Sequence, residues 1–130
     1  MTMIELNLEE TANTPKVSYD TSDNRLDLEG RLLPEHPGPF FEKLYRWLED
    51  AKNSDQSNFT ISFYLYYYNT TSTKMLVMFF QEVDRQLALG LNITLEWKYD
   101  EEDEDAFDDG TDFKKASKVN IKLIGVPEED

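Results

Sequence analysis

Residues 59–89 constrain the fold more than any other segment, because their hydrophobic pattern changes period part-way along. Residues 59–68 alternate strictly, which predicts a strand. Its predicted buried face consists of Phe59, Ile61, Phe63, Leu65 and Tyr67, and its open face of Thr60, Ser62, Tyr64, Tyr66 and Tyr68. From Met75 to Leu87 the apolar residues recur at spacings of one, three and four, which predicts an amphipathic helix. The segment therefore predicts a strand that leads directly into a helix.

The turn between these two elements is rich in hydroxyl groups, since Asn69 is followed by Thr70, Thr71, Ser72, Thr73 and Lys74. One interpretation is structural: Thr71 or Ser72 caps the helix, which would stabilise it by about 1 kcal/mol. The other is regulatory, because free backbone N–H groups and the helix dipole favour an anion such as a phosphate at a helix start. The residues alone leave both interpretations open.

Similar patterns predict the remaining elements, in the order β-β-α-β-α-β-(α)-β. Alternation predicts an edge strand within residues 1–14, a hairpin from strands at 16–20 and 25–32, and later strands at 91–99 and 119–124. Apolar spacing predicts a helix that begins near Pro39, and residues 112–117 predict a short helical turn. Gly30 indicates a bulge or a close approach of another backbone.

Most of the predicted strands have one apolar face and one polar face. This pattern predicts an α/β fold, α+β-like in its two layers, with a mixed sheet of about five strands and helices packed mainly on one face. The length of 130 residues, with 39% hydrophobic and 13% aromatic residues, fits one domain that spans residues 1–130. The tail at residues 127–130 is expected to be frayed.

The formal charge of −14 is the strongest global property of the chain. It argues against binding to nucleic acid or to anionic membranes, since both depend on Lys and Arg, and it favours basic protein partners. Eight of the ten residues at 100–109 are acidic. We interpret this run as a solvated acidic loop at about residues 100–110. An EF-hand is excluded, because placing Gly110 at the loop glycine puts Phe107 and Ala116 on ligand positions.

No catalytic residue, metal site or cofactor is predicted. His36 is the only histidine and lies in a proline-rich loop, and the chain has no cysteine, so triads that need a second histidine or a thiol are excluded. The chain also lacks the glycine-rich motifs that bind phosphates. The absence of a signal peptide and of a long apolar run predicts a cytoplasmic protein.

Four motifs, in order along the chain, resemble those of the SiaC-type regulatory phosphoproteins of bacteria. Residues 67–74, YYNTTSTK, resemble the family's LNTSS-x-K signature, and residues 95–100, LEWKYD, resemble its late L-x-W-x-Y-D strand. Residues 14–15 look like its early Thr-Pro, and residues 33–35 look like its Pro-Glu-Asn loop, followed by a helix with a matching Trp47. The chain departs from the usual family residues at His36, Tyr68, Thr71 and Thr73.

The resemblance implies a partner-switching protein without catalysis of its own. It implies phosphorylation at Thr70, with Thr71 and Ser72 as alternates, by a Ser/Thr kinase of histidine-kinase-like fold, and reversal by a PPM-type phosphatase. The unphosphorylated form would bind and activate a diguanylate cyclase, so that cyclic di-GMP output and biofilm regulation follow the phosphorylation state. The implied partner-binding residues are Tyr68, Asn69, Thr71, Ser72 and Lys74.

Two alternative functions remain. The strand–hydroxyl–helix layout is also similar to STAS-domain anti-sigma-factor antagonists, whose switch serine occupies a similar turn. The other alternative is a constitutive interaction module, which would dock through the row of Tyr64, Tyr66 and Tyr68 on the open face or through the acidic loop.

Overall fold

The computed structural model describes residues 4–128. Its elements follow the predicted order. The strands are β1 (Lys16–Asp20), β2 (Arg25–Leu32), β3 (Asn58–Tyr68), β4 (Asn92–Asp100) and β5 (Ile121–Val126). The helices are α1 (Gly38–Lys52), α2 (Thr70–Ala88) and α3 (Glu104–Ala116).

The five strands form one mixed sheet in the order β1-β2-β3-β4-β5. Strands β1 and β2 form an antiparallel hairpin, whereas β2, β3, β4 and β5 run parallel to their neighbours. Each parallel pair is joined through one helix, because a chain needs a long crossover to return in the same direction. The predicted mixed sheet of about five strands is confirmed.

The apolar core lies between the helices and one face of the sheet. Phe63 of β3 is its centre, with ring centroids 6.3 Å from Phe79, 5.5 Å from Phe80 and 6.4 Å from Trp97. All four side chains are at least 98% buried. Burial of each such side chain stabilises the fold by about 1.5–3 kcal/mol, so this aromatic cluster holds α2 against β3 and β4.

The opposite face of the sheet is polar. Arg25 forms ion pairs with Asp27 of its own strand, at 3.1 Å, and with Glu96 of β4, at 2.5 Å. Burial alone would raise the pKa of Glu96, but the hydrogen bond and positive charge of Arg25 outweigh burial and hold that pKa below its usual range. This face, which we call the open face, therefore carries charges that pair across strands.

The acidic run is not a loop, contrary to the prediction. Asp103 caps α3 by accepting a hydrogen bond from the Ala106 N–H at 3.0 Å, and the acids that follow occupy the first turn, where the helix dipole favours negative charge. Ala106, Gly110 and Phe113 are buried at helical spacing. The predicted turn at residues 112–117 is the end of this same helix. The many acidic residues between Ala106, Gly110 and Phe113 make the helical spacing of these buried residues hard to recognise in the sequence.

The tyrosines of β3 are also distributed differently from the prediction. The pairing of β2 with β3 shifts between Gly30, which faces Leu65, and Arg31, which faces Tyr67, so β3 contains one extra residue. An extra residue in a strand exchanges the faces of all later side chains. Consequently Tyr67 is 61% exposed, with the Arg31 guanidinium 5.6 Å from its ring centre, whereas Tyr68 points into the helix layer.

Gly30 lies opposite the bulge of β3 and at a close approach of another part of the backbone, as predicted. Its φ angle of +137° is one that side chains disfavour. A Cβ atom there would lie 2.7 Å from the Glu10 carboxylate and 3.2 Å from the Pro15 backbone. Glycine at this position therefore allows the N-terminal segment to pass over the end of β2.

The ends of the described chain contain little regular structure. The edge strand predicted within residues 1–14 is reduced to a bridge between Leu8 and Val17, with N–H···O distances of 2.8 and 3.0 Å. Residues 1–3 of that prediction lie outside the described residues. So do residues 129–130 of the predicted frayed tail, in which Pro127 and Glu128 are exposed. Within residues 4–128, no helix combines the length and the apolar character that crossing a membrane requires.

Candidate functional site

The junction between β3 and α2 is closed by Asn69. Its backbone is extended, and its side-chain oxygen accepts a hydrogen bond from the Ser72 N–H at 2.8 Å. Its carbonyl accepts from the Thr73 N–H at 3.0 Å, which is the first bond of the helix. The prediction that Thr71 or Ser72 caps the helix is therefore wrong, because α2 begins at Thr70 with Asn69 as its N-cap, and Thr71 and Ser72 lie within the first turn.

The four hydroxyl groups that follow Asn69 fall into two classes. Ser72 is 99% buried and donates a hydrogen bond to the Leu32 carbonyl of β2 at 2.8 Å. The Thr73 hydroxyl donates to the Thr70 carbonyl at 2.7 Å. Thr70 and Thr71 are exposed, and their hydroxyls form no hydrogen bond within residues 4–128. Ser72 therefore holds α2 to β2, and its side chain is buried, although the sequence analysis placed it among the partner-binding residues.

Tyr68, a second residue that the sequence analysis placed among the partner-binding residues, packs toward the helix layer. It is half-buried, its ring lies 5.6 Å from that of Trp97, and its hydroxyl donates to Asp109 of α3 at 2.6 Å. Burial, followed by the hydrogen bond to Asp109, raises the pKa of Tyr68 well above its usual value. The exposed tyrosine at this end of β3 is Tyr67, which the strict alternation had assigned to the core.

The start of α2 has the electrostatic character of an anion site. The first N–H groups of a helix have no partner within the helix, and their dipoles favour negative charge. Lys74 is exposed and lies four residues after Thr70, so the two side chains share one face of the helix. A phosphate on Thr70 would thus lie between unpaired N–H groups and an ammonium group. Asn69, Thr70, Thr71 and Lys74 are all exposed at the start of α2.

Within residues 4–128, no three His, Cys, Asp or Glu side chains converge as metal ligands. His36 is exposed in the loop between β2 and α1. The candidate functional site is therefore the anion site at the start of α2.

The family model described as SiaC family regulatory phosphoprotein matches residues 8–126. The chain belongs to the SiaC family. The match covers all eight helices and strands found within residues 4–128, including the whole β3–α2 junction.

Known relatives agree with this assignment. An uncharacterised protein of Pseudomonas aeruginosa, strain UCBPP-PA14, is 26% identical over 102 residues, which are 78% of this chain and 81% of the relative. The crystal structure of apo-SiaC from Pseudomonas aeruginosa is 21% identical, with a TM-score of 0.80 over 94% of this chain and 99% of that chain. SiaC in its complex with the diguanylate cyclase SiaD, which it activates, is 22% identical, with a TM-score of 0.83 over 93% and 99%. The fold of these SiaC structures is the fold of this chain.

Proposed function

We propose that this chain is a cytoplasmic, non-catalytic signalling adaptor whose reversible phosphorylation at Thr70 controls its binding to a diguanylate cyclase. One observation carries the proposal. Thr70 presents an exposed hydroxyl, with no hydrogen bond within residues 4–128, at the first position of a capped helix. Membership of a family of regulatory phosphoproteins supports the same conclusion.

The choice among the hydroxyl groups follows from their contacts. Phosphorylating Ser72 would break its bond to Leu32 and place a dianion in the core, where burial of charge is strongly unfavourable. Thr73 is engaged with the Thr70 carbonyl. Thr70 and Thr71 are both accessible, and Thr70 directly follows the capping Asn69, as in the family signature. We therefore assign the modification to Thr70, with Thr71 as the remaining alternate.

The proposed switch changes the surface and preserves the fold. A phosphate adds about −1.5 to −2 charges, which the helix start and Lys74 can stabilise without displacing any buried group. A partner that contacts Asn69, Thr71 and Lys74 would meet hydroxyl groups beside the positive charge of Lys74 before modification, and a dianion in the same place afterwards. Desolvating that dianion in an interface without a matching cation costs binding energy. Phosphorylation is thus expected to release the partner.

The proposed partners are those of the family resemblance: a Ser/Thr kinase of histidine-kinase-like fold, a PPM-type phosphatase and a diguanylate cyclase. The cyclase is supported by the SiaC–SiaD complex, whose SiaC subunit shares this fold. The unphosphorylated form would then activate the cyclase, and phosphorylation would lower cyclic di-GMP output.

The test compares three variants for binding to the cognate cyclase by calorimetry. Thr70→Ala is expected to bind in the presence and absence of kinase, and Thr70→Asp is expected not to bind. A carboxylate at a helix start stabilises the helix, so loss of binding by Thr70→Asp would not reflect unfolding. Thr21→Ala is the matched control, because Thr21 is an exposed threonine in the turn between β1 and β2, away from the start of α2, and this variant is expected to behave as the parent chain. Equal binding by the two Thr70 variants, or a phosphate found by mass spectrometry only on Thr71, would contradict the assignment.

A constitutive interaction module is the second candidate, because Tyr66 and Tyr67 are 43% and 61% exposed on the open face. In that case Tyr67→Ala would abolish partner binding, and every Thr70 variant would bind like the parent chain. A third candidate is a STAS-like antagonist of an anti-sigma factor. Its partner binding would still depend on the phosphorylation of Thr70, but the partner would be a kinase-like anti-sigma factor in place of a cyclase.

A further inference from the structure

The open face of the sheet contains a groove of about 600 Å³ at the carboxyl ends of three parallel strands. Tyr64 and Tyr66 of β3 form one wall, residues 100–103 after β4 form another, and residues 126–128 at the end of β5 close it. Sites for ligands in α/β sheets commonly lie outside the carboxyl ends of the strands, and this volume is within their usual range of about 300–1,000 Å³. The groove shares no residue with the start of α2.

The groove is aromatic on one side and negatively charged around its rim. Its lining includes five carboxylates, from Asp100, Glu101, Glu102, Asp103 and Glu128, and contains no Lys, Arg or His. Within residues 4–128, none of the four ion pairs involves these acids. The negative charge of the rim is therefore not compensated by the protein, and it favours an occupant with several positive charges.

A metal ion is not that occupant. Within the described residues, no group of three or more acidic side chains has the arrangement of a metal site. In addition, two of the rim carboxylates already have hydrogen-bond partners. Asp100 accepts a hydrogen bond from the Tyr64 hydroxyl at 2.5 Å, and Asp103 caps α3. The remaining acids, Glu101, Glu102 and Glu128, are exposed at different positions of the rim. Such spacing suits positive charges that are separated along an extended molecule.

The tyrosines favour arginine among the possible cations. Tyr66 is 43% exposed, and its ring lies 5.0 Å from the Tyr64 ring at an interplanar angle of 82°. The bond to Asp100 holds Tyr64 in place. A planar guanidinium can stack on an aromatic ring while it donates hydrogen bonds to neighbouring carboxylates, which an ammonium group does less well.

We propose that this groove docks an extended, arginine-containing segment of a protein partner. A second copy of the chain would bring the same acids and a further net charge of −14, so charge complementarity excludes it. The groove shares Tyr64 with a smaller depression of about 220 Å³ on the open face, where the carboxylates of Asp27 and Glu29 lie beside the ammonium groups of Lys16 and Lys98. The combined surface accommodates a peptide better than a single side chain.

The test uses a fluorescein-labelled peptide of about ten residues that alternates Arg and Ser, with anisotropy measured at about 150 mM salt to suppress long-range attraction. Tyr66→Ala is expected to weaken binding about tenfold, whereas Tyr67→Ala, an exposed neighbour outside the groove, leaves it within about twofold. The double variant Glu101→Gln/Glu102→Gln is expected to weaken binding at least about fivefold. Its charge-matched control is Glu49→Gln/Asp55→Asn, which alters exposed acids elsewhere.

Three results would overturn the proposal: no binding of the peptide at about 1 mM protein, equal losses for the groove pair and its charge-matched control, or equal displacement of the peptide by free spermine. Equal losses of affinity in the two double variants would mean that peptide binding depends only on the net charge of the protein. Displacement by spermine would mean a site for small polycations. None of these results bears on Thr70, because the peptide assay uses the unphosphorylated chain and Thr70→Ala is expected to bind the peptide normally.

Discussion

The hydroxyl oxygen of Tyr68 lies 2.6 Å from Oδ2 of Asp109, and the two residues are 41 positions apart in the sequence. Tyr68 immediately precedes Asn69, the cap of α2, and Asp109 lies in the middle of α3. The acidic helix is thereby attached to the end of β3, next to the proposed phosphorylation site. This attachment stabilises the fold and is distinct from the surface that the switch would present.

Tyr68→Phe tests this attachment. Removing the hydroxyl leaves the half-buried Asp109 carboxylate without its donor, so we expect the free energy of unfolding in urea to fall by about 1–2 kcal/mol. Tyr67→Phe is the matched control, because Tyr67 is 61% exposed, and we expect no measurable change. If both variants unfold at the same urea concentration as the parent chain, the Tyr68–Asp109 bond does not stabilise the fold.

Asn69→Ala tests the cap of α2. The variant loses the acceptor for the Ser72 N–H, and we expect the free energy of unfolding to fall by about 0.5–2 kcal/mol. Asn69→Asp supplies an equivalent acceptor and a negative charge at the helix start, so it should restore the stability. If Asn69→Ala is as stable as the parent chain in chemical denaturation, the Asn69 side chain does not stabilise the start of α2 in solution.

Gly110→Ala tests the contact between α3 and β4. Alanine is the better helix former by about 1 kcal/mol, but its Cβ would lie 2.6 Å from Trp97 Cδ1 and 2.8 Å from Leu123 Cδ2. Overpacking of this kind costs about 1–3 kcal/mol, so we expect a net loss of thermal stability. Gly38→Ala, at the start of α1, meets no atom within 4 Å and should leave the melting temperature unchanged or raise it. A stabilised Gly110→Ala variant would mean that α3 lies farther from Trp97.

The Arg25–Glu96 pair predicts a dependence of stability on pH. Because the pKa of Glu96 is lowered in the folded state, its contribution to stability is complete above the unfolded pKa, about 4.3, and is lost as the pH falls through the lower folded value. Glu96→Gln lacks this contribution at every pH. The difference in free energy of unfolding between parent and variant should therefore be largest at neutral pH and shrink below about pH 4. A difference that stays constant down to pH 2 would contradict a lowered pKa.

The sequence by itself determined the order of the elements and the position of the candidate site. Both depend on local rules: a strand and a helix differ in period over a few residues, and residues 59–89 contain both periods with polar residues between them. The bounds of α3 could also be predicted from the sequence, since Asp103 is a good cap and Ala106, Gly110 and Phe113 have helical spacing. The prediction of a loop was wrong because the many acidic residues in this segment were given more weight than that spacing.

Only the tertiary structure decided which side chains of the site are accessible. Ser72 and Thr70 are chemically alike and two positions apart, yet Ser72 is buried because the Leu32 carbonyl of a neighbouring strand lies within reach of its hydroxyl. Tyr67 and Tyr68 exchange faces because the pairing with β2 leaves one extra residue in β3. These contacts join residues about forty positions apart, and no local pattern encodes them, because the partner comes into position only when the sheet assembles.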